Sequence, residues 1–153
     1  MPIFARTVFG LLDWGARKGL THLSAPEPAK QKARRTGVKG ETYAYWYLRR
    51  QGYVMIARNF SSRGTKGEID LVGYDGGTLA FVEVKTRTMA GRDFGSPEDA
   101  VTREKERHLA RVARQFLREY RIAEVPFRFD VLAIEAPAGT RPIARLHKGA
   151  FAA

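Results

Sequence analysis

The stretch GEIDLVGYDGGTLAFVEVKTR, from Gly67 to Arg87, constrains the chain more than any other. Asp75-Gly76-Gly77-Thr78 is a hairpin signal, because a Gly-Gly loop accepts the positive φ angles that two-residue turns need. With Gly76 and Gly77 as the loop, Asp75 pairs with Thr78, and pairing outward sets Asp70 opposite Glu83 and Glu68 opposite Lys85. The alternation of strands then puts all four charged residues on one face and Ile69, Leu71, Val82 and Val84 on the other. Directly opposed β-carbons stand about 4.5–5.5 Å apart, and like charges at that distance repel. Asp70 and Glu83 therefore need something to offset their charge. A divalent cation does so, and Mg²⁺ takes carboxylate oxygens while keeping several waters.

Around this hairpin the sequence predicts a helix over 39–50, stopped by Gly52, and strands over 53–59, 68–74 and 79–86. A long helix follows over 97–120, with Pro97 in its first turn. Two last strands span 127–134 and 143–146. The expected fold is α/β, an αβββαβ core whose mixed central sheet is flanked by helices. The helix at 39–50 places Glu41 on the same stripe as Ala44, Tyr45 and Leu48, facing the sheet. An acid in a first turn also suits the positive end of the helix dipole.

Charge bears on the partner. The 153 residues carry 27 Lys and Arg against 16 Asp and Glu, a net +11. Such an excess draws polyanions, meaning DNA, RNA or an anionic membrane surface. Residues 1–36 hold seven cations and two acids, a net +5, in a Pro- and Ala-rich stretch that reads as a basic N-terminal extension and linker. Its first 23 residues suit an amphipathic helix able to grip a polyanion or lie on a membrane surface. The compact domain is expected over 37–153. Arg34, Arg35, Lys66 and Arg87 are the expected nucleic-acid contacts, with Arg103, Arg107, Arg111, Arg114, Arg118 and Arg121 on the solvated face of the long helix. Lys105 falls on that helix's inward stripe, where it can reach the carboxylates; with Glu68 it is assigned a supporting role.

Several chemistries are excluded. There is no cysteine, so thiolate metal sites, disulfides and cysteine nucleophiles are out. No apolar run nears the roughly 20 residues of a membrane span, and no signal-peptide pattern stands at the start; the chain is expected to be cytoplasmic. His22, His108 and His147 have no metal-ligand spacing, and no glycine loop matches a nucleotide fingerprint, so no nucleotide cofactor is expected. Asp130, alternating with Leu132 and Ile134, reads as the partner of an arginine.

Two or three carboxylates around Mg²⁺ or Mn²⁺, with a lysine two residues from one of them, suit phosphodiester hydrolysis. The motifs also carry a resemblance. Gly40-Glu41 with Ala44, Gly67-Glu68-Ile69-Asp70-Leu71, Phe81-Val82-Glu83-Val84-Lys85-Thr86-Arg87, Gly95-Ser96-Pro97 and Arg128-Phe129-Asp130-Val131 resemble the YraN-like family. That is a bacterial family of uncharacterised proteins in the PD-(D/E)xK nuclease superfamily, similar to archaeal Holliday-junction resolvases. The resemblance covers residues 37–134 and implies a restriction-endonuclease-like fold. It puts the superfamily's helix acid on Glu41, its metal-binding aspartate on Asp70, and its E-x-K pair on Glu83 and Lys85. The leading proline is absent, Ile69 standing before Asp70. The sequence thus points to a metal-dependent endonuclease for branched or unusual DNA. A non-catalytic nucleic-acid-binding module and a membrane-surface or partner-binding protein are the alternatives. The oligomeric state stays open, a homodimer included.

Overall fold

The computed structural model describes Leu11 and residues 29–87 and 101–152 of the chain. Its elements are helix α1 (Ala29–Arg50), strands β1 (Val54–Phe60), β2 (Ile69–Asp75) and β3 (Thr78–Arg87), helix α2 (Arg103–Glu119), and strands β4 (Phe127–Glu135) and β5 (Ile143–Phe151). The sheet runs β1-β2-β3-β4-β5. Among the described residues the β3–β4 neighbours are parallel and the other three pairs are antiparallel. This is the mixed α/β core that the sequence pattern implies.

The two helices cover opposite faces of the sheet. On one, Leu109, Val112, Ala113 and Phe116 of α2 pack with Ile69, Val72, Leu79, Phe81, Phe129 and Val131. On the other, Tyr43, Ala44 and Leu48 of α1 pack with Leu71, Ala80, Val82, Leu132 and Ile134. β3 feeds both clusters through strict alternation, which is why its apolar run is nearly unbroken. Gly40 permits α1 to approach this closely, because a β-carbon there would stand 1.8 Å from Thr86 Oγ1. The first helix thereby lies directly against the strand that carries Glu83 and Lys85.

Three element boundaries differ from expectation. α1 starts at Ala29, ten residues before the predicted start, so part of the presumed linker is helical. Ala29, Lys30, Gln31, Lys32, Ala33, Arg34 and Arg35 are all good helix formers, and their summed preference outweighs the cost of Gly37. α2 starts at Arg103, where Thr102 caps it by accepting a hydrogen bond from the Lys105 N–H at 3.2 Å. β5 continues to Phe151 beyond the predicted stop at Leu146, absorbing a register shift opposite Phe129 and Val131. Gly95, Ser96, Pro97, residues 1–28 other than Leu11, and the side chains of Arg34 and Arg35 lie outside the described residues.

Candidate active site

The β2–β3 hairpin forms in the expected register, from Asp75↔Thr78 through Leu71↔Val82, with Gly76 in the left-handed region at φ 59°. One residue further, the pairing stops. Asn59, beside this point on β1, also takes a left-handed φ of 48°, a conformation that few side chains tolerate but asparagine does. Alternation slips there: Arg58 and Leu71 sit on the α1 side, whereas Phe60 and Ile69 join the α2 cluster. Asp70 is caught at the slip. Its Oδ2 accepts the Val84 N–H at 2.7 Å, so a side chain replaces the next rung of the ladder.

This geometry corrects the expectation that Glu68, Asp70, Glu83 and Lys85 share one face. Glu68 precedes the strand and is exposed, as is Lys66 in the same loop. Ile69 joins the α2 cluster instead of lying beside Leu71. The physical reason is the slip at Asn59 and Asp70, which period-2 alternation does not contain.

Glu83 and Lys85 do share a face, the one under α2. Lys85 Nζ lies 2.9 Å from Glu83 Oε1, and Lys105 Nζ, arriving from α2, lies 3.1 Å from the same oxygen. Glu83 is only 5% exposed, and its other oxygen, Oε2, is buried without a hydrogen-bond partner. Asp70 feels charge from both faces. Its burial, then the Glu83 carboxylate and more weakly that of Glu41, push its pKa up to about 7, against the lowering effects of the Val84 N–H and Lys105. The structure therefore gathers Asp70, Glu83, Lys85 and Lys105, with Glu41 near enough on α1 to act on Asp70. It leaves Lys66, Glu68 and Arg87 at the exposed periphery.

Among the described residues no three His, Asp or Glu side chains converge into a ready cation cage. Two carboxylates suffice for Mg²⁺, which retains waters and recruits substrate oxygens. The chemistry of the pair fits: Glu83 has an oxygen lacking a partner, and Asp70 is in a crowd of negative charge that disfavours its own ionisation. A cation would be held by Asp70 and Glu83, with Glu41 beside them.

The raised Asp70 pKa has a consequence for stability. Between about pH 4 and 7 the folded protein holds a proton at Asp70 that the unfolded chain has released. Stability in EDTA should therefore fall as pH rises through that window, the reverse of an ordinary paired carboxylate. Water reaching this half-buried group trims the full linkage value, leaving on the order of 2 kcal/mol. Asp70→Asn, which keeps an acceptor for Val84, should flatten the dependence. Urea denaturation at pH 4.5, 6 and 7.5 measures it, and identical slopes for both proteins would overturn the assignment.

Asp130 is elsewhere. It is fully buried on the α1 side, where Arg128 Nε donates to Oδ1 at 2.8 Å, so it pairs with an arginine as the sequence suggests.

Fold and site together define the class: an α/β protein with a restriction-endonuclease-like core, bearing a buried acidic pair flanked by lysines. The chain belongs to the uncharacterised protein family UPF0102, whose model matches residues 40–134. That span contains Glu41, Asp70, Glu83, Lys85 and Lys105. Among its relatives, a UPF0102 protein of Koribacter versatilis is 44% identical over 134 residues, covering 88% of this chain and 85% of its own. A UPF0102 protein of Symbiobacterium thermophilum is 46% identical over 119 residues, 78% of this chain and 98% of its own. One from Geobacter sulfurreducens is 49% identical over 98 residues, 64% of this chain and 73% of its own.

Proposed function

We propose that this protein is a Mg²⁺- or Mn²⁺-dependent nuclease that hydrolyses DNA phosphodiester bonds, on branched or otherwise unusual DNA. The observation that carries this reading is the buried Glu83, with two lysines on Oε1 and none on Oε2, beside an Asp70 crowded by acids. A divalent cation bound there neutralises phosphoryl charge and lowers the pKa of a water. The chain's own groups do the rest. Asp70 is kept in place by the Val84 N–H, which donates to its Oδ2. Lys85, held by Glu83, is a donor placed to orient the attacking water or to offset charge developing on the phosphorane. Lys105 repeats that charge from α2, on the same Glu83 oxygen. The net +11 of the chain concentrates the polyanion at the site.

A second reading, a nucleic-acid-binding module without catalysis, draws on one observation. Arg103, Arg107, Arg111, Arg114 and Arg118 are all exposed along the outer side of α2, an arrangement that serves phosphate binding without chemistry. Incubating the full-length protein with linear, branched and single-stranded DNA, under Mg²⁺, Mn²⁺ or EDTA, separates the two. Metal-dependent cleavage of at least one substrate is expected. Binding with no cleavage under any metal would leave the module.

A further inference from the structure

One turn beyond Glu41, α1 presents a cluster of aromatic and guanidinium groups. The rings of Tyr45 and Trp46 meet edge to face with centroids 5.2 Å apart. Arg49 lies over both, 5.3 Å from the Trp46 centroid and 5.9 Å from that of Tyr45. Arg58 reaches across from β1 to stand 5.0 Å from the Tyr45 centroid, and its Nη2 donates to Thr42 Oγ1 at 3.4 Å. Both rings are half-buried, whereas Arg58 is exposed. The cluster lies on the α1 face and neighbours the acidic site at Glu41 and Asp70, whereas Glu83 faces α2. Tyr45 follows Glu41 by four residues on the helix, which makes them surface neighbours. Arg58 pairs with Leu71, the residue after Asp70.

We propose that Tyr45, Trp46, Arg49 and Arg58 form a stacking platform for unpaired bases of the strand whose phosphate meets Asp70 and Glu83. Aromatic faces and guanidinium planes accept the flat face of a base regardless of sequence. In a continuous duplex those faces are already stacked on neighbouring bases, and only edges and backbone are offered. A platform at this position therefore selects single-stranded or strand-separated nucleic acid. The two guanidinium groups hold the intervening phosphates by charge while the rings hold the base. This deepens the nuclease reading by naming its substrate class, and rests on it for what becomes of the phosphate; the binding itself does not depend on cleavage.

The test is binding of the full-length protein in EDTA, read by fluorescence anisotropy. Its probes are a labelled single-stranded DNA, the same strand with abasic sites at most positions, its duplex, and an RNA strand of equal length. The base-bearing single strands should bind about tenfold or more tightly than the abasic strand of equal charge. Tyr45→Leu with Trp46→Leu should erase that advantage and leave the abasic strand's affinity unchanged. Arg58→Ala, at an exposed position with little bearing on folding, should weaken base-bearing and abasic strands together through the lost phosphate charge and also narrow the advantage between them, and so guards against a misfolded aromatic variant. Equal affinity for base-bearing and abasic strands, preference for the duplex, or variants that leave the advantage intact would overturn the platform. Cleavage in Mg²⁺ of the same wild-type protein is scored separately. A lost platform with retained cleavage leaves the nuclease standing, and a retained platform without cleavage leaves a single-strand binder.

Discussion

Lys85→Ala should lower the rate of phosphodiester cleavage on the order of 10²–10³-fold while leaving divalent-cation binding in place. An ammonium carries only donors and cannot ligate a cation, so its part is confined to the attacking water or the charge of the transition state. Removing one such preorganised donor typically costs a factor of that size. The structure adds a reason for retained binding. Glu83 Oε1 keeps its second partner, Lys105, when Lys85 is removed, so the carboxylate does not lose its position. One competing cation fewer at Glu83 should, if anything, tighten metal binding. Asp70→Asn is the contrast: the Val84 N–H keeps an acceptor and the fold should survive, yet a charge that would hold the proposed cation is lost, and both binding and cleavage should fall. Calorimetry with Mn²⁺ and cleavage of the best substrate measure the two effects. Lys85→Ala cutting at the wild-type rate would remove lysine from the mechanism and return the site to a binding role.

The hairpin at Gly76-Gly77 was legible residue for residue because its constraints are local. A tight loop fixes register, and apolar alternation fixes faces, through Leu71↔Val82. Beyond Leu71 the geometry of β2 depends on a second strand. The slip at Asp70 arises where Asn59 of β1 adopts a left-handed conformation, and a strand's own pattern carries no trace of its neighbour's backbone. The acidic cluster survives this slip, since the Asp70 carboxylate replaces a main-chain acceptor and still feels Glu83 and Glu41. Lys105 shows another kind of legibility: its place four residues before buried Leu109 sets the side of the helix it leaves from. The platform on α1 was written in the sequence as YAYWYLRR, aromatics followed by cations one turn later. A helix's apolar stripe absorbs such residues equally well, and both rings are half-buried against that core; Arg58, arriving from β1 over Tyr45, is what sets the cluster apart from it.

The largest stability effect is expected at Asp130, because its fully buried carboxylate is the shared acceptor of a set of donors from the loop after α1, β4 and β5. Asp130 is 0% exposed and accepts from four of them: Arg128 Nε at 2.8 Å, Arg128 Nη2 at 3.2 Å, the Gly149 N–H at 2.9 Å and the Tyr53 hydroxyl at 3.3 Å. Arg128 Nη2 also reaches Asp75 Oδ2 at 2.6 Å, which Lys148 holds at 2.7 Å. One buried carboxylate thus joins the loop after α1, the hairpin, β4 and β5. Burial, with Asp130 and Asp75 nearby, raises the Tyr53 pKa above its ordinary value, so the hydroxyl stays protonated and donates. Asp130→Ala leaves Arg128 Nε, the Gly149 N–H and the Tyr53 hydroxyl without this acceptor, while Arg128 Nη2 keeps Asp75 and the Tyr53 oxygen, a loss of about 3–5 kcal/mol for a broken buried pair. Replacing the pair by apolar residues, Arg128→Met with Asp130→Leu, should cost less than Asp130→Ala by itself, because no charge is then stranded. Asp130 lies beside Val82 in the parallel register, on the face opposite Glu83. Below its melting temperature, Asp130→Ala should therefore bind Mn²⁺ as the wild type does. Denaturation and calorimetry on the one variant separate the roles: a loss of cation affinity in folded Asp130→Ala would make Asp130 part of the site, and unchanged stability would break the network account.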